Sequence, residues 1–318
     1  MEKISKKSIR KAFGETLAEI GEINKNIVVM DADLSCSTQT KIFSEKYPER
    51  FFNFGIAEQD MVAAAAGFAS EGKVPFVASF AMFVTGRTYD QIRNSICYSD
   101  FNVKIIGTHG GITVGEDGAT HQALEDISLM RGLPHMTVIV PADCKECQEV
   151  IKYAGLHKGP MYIRIPRSNV ADIFDEKYHF NINKAVIVEE GTDIALFTNG
   201  ETLYESIVAS RELKKEGISV KVINVPVVKP IDVSTVVESA NSTKFCITVE
   251  NHSIIGGLGS TICETLASRT LRKVFMIGIH DEFGQSGKAE ELIEYYGLDS
   301  KSLVKRIRTL YNKNKEEA

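Results

Sequence analysis

The chain has 318 residues, enough for one large or two ordinary domains, and its 43% hydrophobic and 25% charged content is that of a soluble globular protein. A net charge of −5 leaves no global basic field to hold nucleic acid or an anionic membrane. No apolar run reaches the ~18 residues of a membrane span, and the six cysteines read as reduced thiols of a cytoplasmic protein.

In chain order, the opening MEKISKKSIRKAF is charged and helical in pattern, with no apolar signal-peptide core. It runs into a helix with Ile9, Phe13, Leu17 and Ile20 on one face. Apolar runs at 27–30, 51–54, 74–79, 103–107, 136–140 and 161–165 read as strands. Helix-length segments such as RTYDQIRNSICYS and CKECQEVIKYAGLHK lie between them. Nearly continuous apolar strands joined by helices imply a parallel sheet covered on both faces. Beyond Arg167 the alternation breaks into a polar stretch, read as a linker with a small hairpin. A second series follows, with strands at 193–199, 218–225, 244–250 and 273–279. The expected fold is α/β with two doubly wound, mostly parallel domains: residues 1–170, a linker at 171–190, and residues 191–318. The basic stretch KSLVKRIRTLYNKNK alternates with apolar residues at helical spacing and reads as a solvated helix face.

Ligands of such sheets sit outside the carboxyl ends of the strands, so those ends are where chemistry is sought. Glu58 opens a helix among Ile56, Ala57 and the run Ala63–Ala66, which leaves it few polar partners. A first-turn acid is ordinarily helix electrostatics; a desolvated one suits proton sharing with a ligand nitrogen. Phe80 and Phe83 follow the third strand, either as core or as a platform for a flat heterocycle. The stretch THGGITVGEDGATHQ reads as a long flexible glycine-rich loop carrying His109, Asp117 and His121. Each histidine alone is unremarkable in a core; together with Asp117 they suggest a polar substrate site, and their separation is not a metal pattern. Arg164 and Arg167 close the sixth strand, where an arginine is either a phosphate fork or a salt-bridge partner.

Two motifs point less clearly. Cys144 and Cys147 form a C-x-x-C in the first turn of a helix, with no second pair to make a zinc site and a redox pair as the minor reading. Gly256, Gly257 and Gly259 open another helix without the spacing of a nucleotide loop; they read as a tight turn with a minor anion or interface role.

Taken in order, DADLS, NFGIAEQDMVAAAAGFA, FAMF, GEDGATHQALED, PADCKE and IRIPRS resemble the C-terminal half of the transketolase family, the pyrimidine-binding domain followed by the small C-terminal domain. The resemblance covers nearly the whole chain. It implies that Glu58 hydrogen-bonds N1′ of the aminopyrimidine of thiamine diphosphate, favouring the imino tautomer that takes the thiazolium C2 proton. It implies that Phe83 stacks on that ring, with Phe80 lining the pocket and Asp33 near the cofactor. Asp117 then matches the residue that reads a donor hydroxyl, and His121 the one beside the C1 and C2 oxygens. His109, Arg167 and Ser37 match positions that hold the substrate phosphate.

The family's diphosphate and metal signature, G-D-G followed downstream by N-N, is absent. The resemblance therefore implies no metal on this chain and an N-terminal partner subunit that binds the diphosphate with Mg2+ or Ca2+, the two together forming a heterotetramer built on a dimer of this chain. The implied activity is transketolase, moving a two-carbon ketol unit between sugar phosphates in carbohydrate metabolism of the pentose phosphate kind. Gly86 stands where transketolases commonly carry an aromatic residue, and with Arg87 it leans toward deoxyxylulose-phosphate synthases. A synthase of that kind, the beta subunit of a 2-oxo-acid dehydrogenase, and a non-catalytic partner subunit stay open.

Overall fold

Ser8 caps the helix Ile9–Ile23, its hydroxyl accepting the backbone N–H of Lys11. Ile9, Phe13, Leu17 and Ile20 are buried along one side, the stripe that their spacing marks out. They pack beside helix Cys144–Leu156 on one face of a sheet, and a buried side chain of this kind stabilises by ~1.5–3 kcal/mol. The computed structural model describes residues 5–316, so the helical pattern of residues 1–4 and the outermost ends of the two expected domains, 1–4 and 317–318, lie outside the described residues.

Fourteen strands occur among the described residues. They are β1 (Lys6–Lys7), β2 (Ile27–Asp31), β3 (Phe51–Asn53), β4 (Val74–Phe80), β5 (Lys104–Thr108), β6 (Thr137–Ile139) and β7 (Met161–Ile165). Then come β8 (Val170–Ala171), β9 (Val186–Glu189), β10 (Ile194–Thr198), β11 (Val220–Asn224), β12 (Val227–Lys229), β13 (Phe245–Ser253) and β14 (Val274–Ile279). The first large sheet has the order β12-β6-β7-β5-β4-β2-β3 and is parallel except for β12. The second has the order β14-β13-β10-β11-β9 and is parallel except for β9. Strands β2, β4, β5 and β7 are buried throughout, with an apolar cluster on either face of their sheet. Hence their continuous apolar runs.

Three features depart from expectation. The stretch after Arg167 forms no hairpin: β8 pairs antiparallel with β1, and β9 joins the edge of the second sheet. Each strand found a distant partner whose edge was open, which local spacing cannot reveal. Strand β12, from beyond β11, returns to the first sheet and caps its edge at β6. The segment 83–97 is helical, but it winds as π-helical turns Phe83–Arg87 and Ile92–Cys97 around the short α-helix Tyr89–Gln91. Turns of that kind concentrate at functional sites.

Glu146, fully buried on helix Cys144–Leu156, clamps the two sheets together. Its Oε2 accepts the backbone N–H of Ala142 at 2.7 Å, and its Oε1 accepts the Tyr178 hydroxyl at 2.5 Å and Nδ2 of Asn224, at the end of β11, at 2.9 Å. Burial pushes its pKa up from 4.5 to about 7 despite those donors. Between these two values the unfolded chain has released a proton that the folded chain keeps, so this group costs stability as pH rises from 4.5 to about 7. Glu146→Gln is expected to flatten that part of the curve of melting temperature against pH. A wild-type slope retained in the variant would place the proton elsewhere.

Candidate active site

Strand β3 ends at Asn53, the chain turns through Gly55, and Glu58 begins helix Glu58–Ser70. The Glu58 side chain is only 5% exposed, and its Oε1 accepts Nη1 of Arg87 at 2.8 Å. The expectation of few polar partners is therefore corrected. The π-helical turn after β4 brings back a guanidinium that no local pattern around Glu58 announces.

Phe80 closes β4 and Phe83 lies one turn on, so the two rings meet near-parallel at 17° with centroids 5.7 Å apart. His109, just past β5 with φ +60, stacks on Phe80 at 3.8 Å, while His121 stands edge-on to Phe83 at 5.1 Å. Four residues from two strand ends and a loop thus make one aromatic cluster. Burial, reinforced by the charges of Arg10, Arg167 and His121, pushes the His109 pKa down to about 3. Its imidazole is therefore neutral near pH 7 and offers a hydrogen bond without a charge; Nδ1 already meets Oγ1 of Thr108 at 2.9 Å.

A second cluster adjoins His109. Arg10 donates from Nη1 to the backbone oxygen of Ser37 at 2.7 Å and from Nη2 to that of Arg167 at 3.2 Å. Arg167 donates from Nη1 to the backbone oxygen of Val114 and to Oε2 of Glu116, at 3.1 Å from the latter. Burial and the neighbouring charge of Arg167 both lower the pKa of Arg10, and its Nε is buried with no hydrogen-bond partner. Two guanidinium groups held together with an unmet donor present a receptor for an oxyanion. A mixed-charge cavity of about 510 Å³, lined by Arg10, Arg167, Glu116, Glu201 and Lys288 among others, opens beside them.

The glycine-rich stretch is an ordered turn, not a flexible loop. Residues Ile112–Asp117 form a 3-10 segment kinked at Gly115, and residues 110–115 are buried. The second sheet braces it. Asn251 accepts the Ile112 N–H at 3.1 Å and donates to Glu201 at 2.5 Å, and Glu201 also accepts the Thr113 hydroxyl at 2.9 Å. Nε2 of Gln122 donates to the carbonyls of Ile112 at 3.1 Å and Gln285 at 3.0 Å. Hydrogen bonds between buried groups hold a conformation firmly. Asp117 ends the turn exposed, beside the Glu116 that pairs with Arg167. Asp33, also exposed and at φ +62, donates its N–H to Oδ1 of Asn53 at 3.1 Å; the same oxygen accepts the Gly55 N–H at 3.0 Å. Asn53 thereby ties the Asp33 turn to the turn that leads into Glu58.

Other expected groups have structural roles. Arg164 is buried in an ion pair with Asp126, Nε to Oδ2 2.8 Å, and also donates to the carbonyls of Ala123 and Asn251. It faces inward and is no phosphate fork. Cys144 and Cys147 are free and buried, with thiols that burial pushes up, Cys144 to about 11, the reverse of a redox-active pair. The Gly256–Gly259 turn closes on an internal acid. Glu250 accepts the N–H groups of Leu258 at 2.7 Å and Gly259 at 2.8 Å, and a Cβ on Gly257 would lie 2.0 Å from its Oε2. That carboxylate takes the place an external anion would need. Among the described residues no group of three or more His, Cys, Asp or Glu is placed to hold a metal ion, and no helix is long and apolar enough to cross a membrane.

Arg10, Arg87, Asn53 and Gln122 were not legible as site residues. Arg10 sits two residues past a helix cap, and only the approach of the helix to the end of β7 shows its purpose.

Two mostly parallel sheets in series, with a buried acid and an aromatic cluster at the strand ends of the first, put the candidate site where doubly wound α/β folds carry their ligands. Residues 5–172 match the transketolase pyrimidine binding domain and residues 183–303 the transketolase C-terminal domain. A putative transketolase C-terminal section of Methanocaldococcus jannaschii is 48% identical over 304 residues, 95% of each chain. A 6-deoxy-6-sulfo-D-fructose transketolase subunit of a Clostridium species is 37% identical over 95% of this chain and 94% of its own. A split-gene transketolase solved as an inactive β4 tetramer superimposes with a TM-score of 0.88 at 41% identity, covering 97% of this chain and 99% of that one. The chain belongs to the transketolase family.

Proposed function

We propose that this chain is the C-terminal subunit of a two-subunit, thiamine-diphosphate-dependent transketolase that moves a two-carbon ketol unit between sugar phosphates. The carrying observation is a buried carboxylate, Glu58, joined through the Arg87 guanidinium to the Phe83 ring of the stacked pair Phe80 and Phe83. That donor set fits an aminopyrimidine, which needs a flat apolar face and a carboxylate for its ring N–H. When bound, the cofactor supplies the carbanion chemistry of the transfer.

In this reading Glu58 holds a proton at N1′ of the aminopyrimidine, and its burial strengthens that hydrogen bond relative to one made in water. Phe83 stacks on the ring, Phe80 lines its seat, and Asp33 lies close to it through Asn53. His121, edge-on to Phe83, orients and exchanges protons with the C1 and C2 oxygens of the ketol unit. Asp117, on the braced turn, reads a donor hydroxyl. Arg10 and Arg167, with Ser37 and the neutral His109, take the anionic end of the sugar.

The resident metal, Mg2+ or Ca2+, and the diphosphate belong in this proposal to an N-terminal partner subunit, with active sites between chains of a cytoplasmic heterotetramer. Residues 1–170 act as the pyrimidine-binding unit, 171–190 as linker and 191–318 as the C-terminal unit. Support comes from relatives that are themselves separate sections or subunits, one of them solved as an inactive tetramer of β chains. The expected sugars are of the pentose phosphate kind. A relative named for a sulfonated fructose is compatible, because a guanidinium pair reads a tetrahedral oxyanion.

Calorimetric titration of thiamine diphosphate and Mg2+ into this chain, alone and then with a partner carrying G-D-G and N-N, tests the reading. Binding confined to the mixture, followed by ketol transfer from xylulose phosphate, supports it. Pyruvate decarboxylation by the mixture would assign a synthase or dehydrogenase instead. Absence of binding in the mixture would leave a non-catalytic partner.

A further inference from the structure

We infer that Arg87 is a built-in competitor for the aminopyrimidine seat, so that cofactor capture requires its guanidinium to swing out. The inference rests on the cofactor reading above and goes beyond it. One guanidinium engages both groups that would receive the ring. Its Nη1 lies 2.8 Å from Oε1 of Glu58, and its central carbon lies 4.0 Å from the centroid of Phe83.

These two contacts share a logic. A guanidinium is planar, stacks on aromatic faces and donates N–H groups to carboxylates. An aminopyrimidine with a ring N–H has the same three properties. Phe83 already packs near-parallel to Phe80 and meets His121 edge-on, so the surface beneath Arg87 is what remains for a stacked ligand. The carboxylate and that surface are then taken, or released, together.

Arg87 is also placed to move. Its side chain is 47% exposed, against 5% for Glu58, so one partner of the pair is wet and the other dry. Nε2 of Gln59 pins the Arg87 backbone by donating to its carbonyl at 2.8 Å, which leaves the side chain as the mobile part. Gly86 before it carries no side chain to hinder the swing. A half-exposed ion pair and an exposed cation–π contact are each weak, so the competition is strong enough to measure and weak enough for a cofactor to win.

The test uses the full chain and the pyrimidine half of the cofactor alone, 4-amino-5-hydroxymethyl-2-methylpyrimidine, titrated by ligand-observed NMR. Arg87→Met removes the charge and keeps the apolar stem. It is expected to bind the fragment about tenfold more tightly than wild type, the size of gain that losing two weak contacts gives. Arg87→Lys, which keeps the charge without the flat fork, is expected to fall between them, and adding Glu58→Gln to Arg87→Met is expected to remove the gain. Equal or weaker fragment affinity in Arg87→Met and Arg87→Lys, or no detectable binding by wild type and both variants, would overturn the inference. Failure here with thiamine diphosphate still binding the two-subunit mixture would end the competition and leave the cofactor reading standing. Failure of the mixture to bind would end the cofactor reading instead.

Discussion

Glu58→Gln in the chain assembled with its partner is expected to lower kcat for ketol transfer by about 10²–10⁴-fold, the range that a positioned acid–base group supplies. The substitution keeps size and a hydrogen-bonding oxygen while removing the charge. The fold should barely notice. The ion pair that is lost joins Glu58 to an Arg87 whose side chain is 47% exposed, and such a pair is worth about 1 kcal/mol or less after solvent screening. Melting temperature should therefore stay close to wild type while turnover collapses, and this separates a catalytic carboxylate from a helix-terminal acid placed for electrostatics. A structural Glu58 would show the opposite pattern, with turnover kept to within about twofold and the cost appearing in the first turn of the helix. Measuring kcat and melting temperature on one preparation decides between them.

What the sequence made legible was whatever local pattern determines. Continuous apolar runs located β2, β4, β5 and β7 because strands buried on both faces have no polar side to interrupt them. Glu58, Phe80, Phe83, His109 and His121 could be named because strand ends carry ligands in such sheets, and the last four do converge. What stayed hidden depends on pairings across long stretches of chain. Arg87 reaches Glu58 only because π-helical turns re-aim it. The glycine-rich stretch looked mobile because its braces, Asn251, Glu201 and Gln285, lie far along the chain on the second sheet and its loops. Arg164 and Arg167 were equivalent by alternation, yet the first is buried against Asp126 and the second reaches the turn that carries Glu116. Strand β12 illustrates the same limit, since nothing near residue 227 says that its edge partner belongs to the other sheet.

Arg10→Ala is expected to raise KM for phosphorylated donors by about 10–100-fold with kcat nearly unchanged, since a hydrogen bond to a charged group is worth ~1.5–3 kcal/mol. Arg10 is a cleaner probe of the anion site than Arg167. Arg167 also holds Val114 and Glu116, so its removal would loosen the turn that bears Asp117 and disturb both constants. Arg10 instead contacts two backbone oxygens on the rim, keeps a buried Nε without a partner, and sits under the repulsive charge of Arg167. An oxyanion relieves that repulsion and satisfies the Nε at once. An unphosphorylated donor brings no such anion, so its KM should be the same in wild type and Arg10→Ala. The comparison of the two donor classes is therefore the measurement. If both donors lose equally, Arg10 holds the Ser37 and Arg167 backbone in place and does not bind substrate. If only the phosphorylated donor suffers, the guanidinium pair is the group that reads the anionic end of the sugar.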